Sequence, residues 1–101
     1  SEPEDGAGPI KGLVFFAWSY PGSLEEGHAF RVLIWPAGDV ENKWSSLRVK
    51  ESKHLEINLD DVTVIEQPGV YLWTVVIQDS DDKVVGEAAE TRELTYGPPT
   101  G

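Results

Sequence analysis

His28 and His54 are the only imidazoles in this chain of 101 residues, and cysteine is absent. Nucleophilic and metal chemistry therefore have few side chains to draw on. His28 falls in a turn and His54 on the polar side of an alternating stretch. No Gly-x-Ser-x-Gly elbow, metal-spaced histidine pair or phosphate-binding loop accompanies them. Carboxylates are plentiful, but a glycosidase pair needs a cleft to work across, and a single domain of this length has little room for one. The chain is read as non-enzymatic, with no catalytic residue and no cofactor.

Two further groups have residue types suited to binding. Asp79, Asp81 and Asp82 cluster around Ser80, and oxygen-rich loops suit calcium. The spacing lacks the glycine and the distal bidentate glutamate of an EF-hand loop. Asp and Ser are also the residues that close tight turns, so a hairpin tip without metal is the expected role. The second group is aromatic and aliphatic. Leu33 and Trp35 alternate with Phe30, Val32 and Ile34, and Leu72 and Val76 alternate with Trp73 and Val75. With Trp44 close by, these side chains are expected to form one apolar patch. Such a patch can stack on sugar rings or anchor a partner protein; the competing expectation is that loops, Arg31 or a neighbouring domain cover it.

Eighteen acidic residues against eight basic ones give a net charge of −10. Nucleic acid is excluded on this ground, because phosphate backbones need clustered Lys and Arg. Anionic lipid surfaces repel the chain for the same reason, and no apolar run approaches the roughly 20 residues of a membrane span. Without cysteine there is no disulfide or thiolate site, which leaves the redox compartment open. Hydrophobic residues make up 40% of the chain and include four Trp, so the chain has the material for a folded core. A domain of this size buries roughly 60–70% of its unfolded surface. A first residue other than Met points to a module cut from a longer protein.

The elements that must position these residues are strands. Pro68-Gly69 turns the chain into a long run, Tyr71 to Asp79, that alternates every second residue and is apolar on both sides. That pattern marks a central strand. Leu13–Trp18 and Ala29–Trp35 alternate likewise, and Pro36 ends the second because it cannot donate to a ladder. Trp44–Val49 is a weaker, edge candidate, with Lys50 and Lys53 nearby. His54–Asp60 places Leu55, Ile57 and Leu59 on one side and polar residues on the other. Asp79–Lys83 is a hairpin tip, and Val84–Tyr96 returns with an interruption near Gly86. Residues 1–9 and 97–101, rich in Gly and Pro, read as flexible linkers around a domain at 10–96. About seven short strands and no helix beyond one turn give an all-β antiparallel sandwich or barrel.

The order Phe16-Ala17-Trp18, Ala29-Phe30-Arg31-Val32-Leu33-Ile34 and Pro68-Gly69-Val70-Tyr71-Leu72-Trp73-Thr74-Val75 resembles a bacterial fibronectin type III-like domain of the immunoglobulin-like group. The resemblance covers residues 10 to 96. It implies that Tyr71 bonds backbone upstream of itself as a corner tyrosine, and that Trp18 and Trp73 lie between the sheets. The first strand, near Ile10, is poorly marked, which departs from the family pattern. The resemblance implies no catalysis. Such modules space or present other domains of cell-surface and secreted proteins, so the partners expected are neighbouring domains, another protein or a polysaccharide, and the isolated domain is expected to be a monomer outside the cytoplasm. The alternatives are a carbohydrate-binding module using Trp35, Trp44 or both, and the ligand-sensing domain of a bacterial receptor.

Overall fold

The computed structural model describes residues 1–99 and is almost wholly β-structure. Its seven strands are β1 Ala7–Ile10, β2 Leu13–Ala17, β3 Ala29–Pro36, β4 Trp44–Ser45, β5 His54–Asn58, β6 Gly69–Gln78 and β7 Val84–Tyr96, with one 3₁₀ turn at Leu59–Asp61. They form two sheets, in the orders β1-β7-β6-β3-β4 and β2-β5. The protein is an all-β sandwich.

β6 is central. It pairs with β3 along eight residue pairs, from Ala29 opposite Gln78 to Pro36 opposite Tyr71. On its other side it pairs with β7. Alternation along these strands decides which side chains meet. Phe30, Val32, Ile34, Tyr71, Trp73, Val75 and Ile77 turn toward β2 and β5 and form the main core with Phe16, Trp18 and Ile57. Trp73 is fully buried, and its ring meets Phe16 edge to face with centroids 5.0 Å apart. Leu13 and Phe15, the alternate residues of β2, are exposed.

Two segments differ from the sequence expectation. The N-terminal stretch expected as a linker is hydrogen-bonded. Glu2 exchanges backbone hydrogen bonds with Ala17, Gly6 N donates to Glu93 O, and β1 pairs in parallel with β7. Its glycines make this possible: Gly8, at φ +117°, lies so close to Thr95 that a Cβ would overlap the Thr95 carbonyl oxygen. At the other end Gly97 N donates to Ile10 O; residues 100–101 of the expected C-terminal linker lie outside the described residues.

The second difference is at Trp44–Val49. Only Trp44 and Ser45 form β4; the Ser46 N–H still donates to Val32 O, and strand pairing with β3 resumes at Val49, which bridges Phe30. Between them Ser46 interrupts the ladder, because its Oγ accepts the Val32 N–H at 3.0 Å. Leu59 leaves the strand pattern at its own position. Asn58 caps the 3₁₀ turn by accepting the Asp60 N–H, which ends β5 and carries the chain under the core. Val62 and Ile65, just beyond the turn, plug that end of the sandwich.

Candidate interaction site

The expected aromatic patch divides between the two faces of the large sheet. Leu33, Trp35 and Val76, with Leu72 beside them, form a separate cluster on the outer face. They are not a free surface. Trp35 is only 6% exposed, and the Lys43 ammonium stands 5.2 Å from its ring centroid, where a cation is held by the ring's negative face. Arg31 is directly across from Val76 on the same face, and its Nε is buried. Long basic side chains can lay their methylenes over apolar neighbours, and Lys43 and Arg31 stand on the face where this cluster lies.

Trp44 corrects the expectation. It pairs with Ile34, and directly opposed residues of an antiparallel pair share a face. Ile34 faces the core, so Trp44 does too, and it packs on the main core rather than beside Trp35. There it lines a groove of about 210 Å³ with Ser46, Leu47, Leu55, Glu56, Ile57, Asn58 and Asp61. The groove lies between β4 and β5, on the side where the two sheets are not joined by a strand. Leu47 is 64% exposed at its rim.

The aspartates at the β6–β7 tip serve the turn. Asp79 Oδ1 accepts the backbone N–H groups of Asp81 at 2.9 Å and Lys83 at 3.0 Å. These two donors hold the Asp79 carboxyl below the ordinary carboxylate range, the Lys83 N–H contributing most. Asp82 adopts a positive φ of 62° and pairs with Arg48 at 3.0 Å. Arg48 also donates to the carbonyls of Asp79 and Gly27, and so ties the tip to the loop before β3. Among the described residues no group of three or more His, Cys, Asp or Glu side chains is placed to hold a metal ion.

The histidines are far apart in role. His54 stacks on Phe15 with ring centroids 5.4 Å apart, and its Nδ1 shares a hydrogen bond with Ser52 Oγ at 3.0 Å. His28 Nε2 is 3.9 Å from the exposed Glu25 carboxylate. At the opposite end of the sandwich the Tyr96 hydroxyl donates to Asp60 Oδ1 at 2.6 Å, and the Gly12 N–H donates to the same oxygen. Tyr96, then Gly12, draw the Asp60 carboxyl below its ordinary value; in return the Asp60 bond raises Tyr96.

Sequence reasoning missed Arg48, the groove at Trp44 and the 3₁₀ turn. The turn had a signal: Asn58 followed by Asp60 and Asp61 is a capping residue followed by acidic first-turn residues. The Tyr71 hydroxyl does bond backbone upstream, donating to Gln67 O at 2.7 Å.

No family model matches this chain, and no curated protein matches it.

Proposed function

We propose that the chain is a non-enzymatic module of the fibronectin type III-like sort, which spaces and presents neighbouring domains of a larger extracytoplasmic bacterial protein and offers them an interaction surface. The observation that carries this reading is the parallel pairing of β1 with β7. First and last strands that run the same way carry the chain in at one end and out at the other, the arrangement a tandem string of modules needs. The Tyr71–Gln67 bond supports the family reading, since a corner tyrosine holds the approach to the corresponding strand in such sandwiches. The location outside the cytoplasm rests on the resemblance.

The carbohydrate-binding alternative needs exposed aromatic rings in one plane. Trp35 beneath Lys43 and Trp44 on the opposite face favour the module instead. Two copies joined in tandem test the reading by small-angle scattering. An extended particle nearly twice as long as one copy is expected; two copies folded back on each other would overturn it. Titration with soluble polysaccharides is expected to move no indole signal, and joint movement of Trp35 and Trp44 would put the carbohydrate reading first.

A further inference from the structure

Among the described residues the β5 side of the sandwich is left open by the chain. β5 is an edge of the two-stranded sheet, and among the described residues nothing pairs with it on the side toward β4. The pattern of its peptide groups follows from Ala17. Because Ala17 spends its N–H and C=O on Glu2, Ala17 and His54 are a non-hydrogen-bonded pair. The alternation of an antiparallel ladder then makes Phe15 with Glu56, and Leu13 with Asn58, non-hydrogen-bonded as well. The N–H and C=O of His54, Glu56 and Asn58 therefore point away from β2. The Ser52 hydroxyl occupies those of His54, at 3.1 and 3.3 Å. Among the described residues the N–H and C=O of Glu56 and the N–H of Asn58 have no partner along this edge, the Asn58 C=O being spent on the 3₁₀ turn that this residue caps.

The other edges are shorter, irregular or partly covered. β1, outermost in the large sheet, is four residues long, and the part of β7 it leaves uncovered is irregular in register three times along β6; irregular, charged edges resist pairing. β4 is two residues long, and Glu2 already occupies part of β2. β5 is regular and carries neither Pro nor Lys.

A strand added to β5 would place alternate side chains inward, level with Leu55 and Ile57, in the groove bounded by Trp44 and Leu47. At about 210 Å³ that groove is smaller than a drug-sized site and suits apolar side chains. The intervening side chains would lie outward beside Glu56. The groove lining contains Glu56 and Asp61 and no basic residue. A second copy of this chain is a poor occupant: a two-fold pairing centred on β5 sets Glu56 against Glu56, and like charges directly opposed are destabilising, between chains of net charge −10 each.

We propose that the free edge of β5 and the Trp44 groove take an extended segment of a partner protein, alternating apolar with basic side chains, by strand addition. This rests on the reading of the domain as an interaction module and names the partner chemistry of one surface.

The test uses the full chain, ¹⁵N-labelled, and three short peptides: one alternating Ile and Lys, one alternating Ile and Glu, and one with the first composition scrambled out of alternation. The Ile–Lys peptide is expected to shift the Glu56 and Asn58 amides and the Trp44 indole. At a concentration ten times its dissociation constant it should slow exchange of those amides about tenfold. Glu56→Lys should exchange the preference toward the Ile–Glu peptide. Glu56→Pro removes the edge donor where an edge strand tolerates it and should abolish binding; if that variant does not fold, Glu56→Lys carries the test. Equal binding of all three peptides, shifts confined to another surface, or no shift at all would overturn the assignment. None of these outcomes alters the tandem scattering result, on which the module reading stands.

Discussion

The Tyr96 hydroxyl and the Asp60 carboxylate meet at 2.6 Å across 36 residues of sequence, fastening the last strand to the 3₁₀ turn beneath the core. Asp60 has its carboxyl lowered in the fold, below the ordinary 3.8. A lowered carboxyl contributes stability that is fully present above its unfolded value and is lost as pH falls through the folded one. Tyr96 is raised above the ordinary 10.0, so the same bond is present below that value and lost as pH rises through the folded one. Stability measured against pH should fall below about pH 4 and again above about pH 10. Tyr96→Phe should flatten the alkaline limb and make the acid limb shallower, with Gly12 still bonded to Asp60. An unchanged acid limb in this variant would show that the bond does not form in solution.

Arg48 joins three segments with one guanidinium: the Gly27 carbonyl, the Asp79 carbonyl and the Asp82 carboxylate. Its planar fork reaches several acceptors at once, which an ammonium does not. Arg48→Ala should cost about 1–3 kcal/mol and speed amide exchange at residues 79–83 more than in the core. Arg48→Lys should recover little of this. Full recovery by Lys would mean that the ion pair with Asp82 alone supplies the stability.

Most strands could be read in the sequence because their two sides differ in polarity or their ends carry Pro, Gly or Asp. β6 and β3 are legible for this reason, and so is the inward turn of Phe16 and Trp18 against exposed Leu13 and Phe15. β1 was not, because Ala7–Ile10 has no alternation; its place depends on a close approach of Gly8 to Thr95 that only the fold reveals. Trp44 was misplaced because period-two reasoning assigns sides within a strand, whereas its side is set by register against Ile34. Arg48 gave no sequence signal: its partners lie 21 to 34 residues away. The outer cluster was visible as a pattern, but its cover, Lys43, depends on the path of the β3–β4 loop.

Trp73 and Trp35 should separate the two apolar clusters. Trp73 is fully buried in the main core, and Trp73→Ala should cost about 3–5 kcal/mol. Its indole N–H is buried without an acceptor, so Trp73→Phe loses volume but also an unpaired donor and should cost less. Trp35→Ala should also lower the melting temperature, by less than Trp73→Ala, because its cluster is the small one it forms with Leu33, Val76 and Leu72. Unchanged stability in Trp35→Ala would mean that the ring is not packed beneath Lys43.

Gly8 and Gly6 offer a matched pair for the N-terminal strand. Both have positive φ, +117° and +82°, but a Cβ on Gly6 meets nothing within 4 Å, whereas one on Gly8 would overlap Thr95 O. Gly6→Ala should therefore cost only the backbone term, about 1–2 kcal/mol. Gly8→Ala adds a clash with backbone, which cannot move aside as a flexible side chain can. It should cost clearly more and release β1 from β7, seen as faster exchange of the amides that pair residues 7–10 with 94–97. Equal melting temperatures for the two variants would show that β1 is not seated against Thr95 and that the parallel pairing contributes little to holding the domain together.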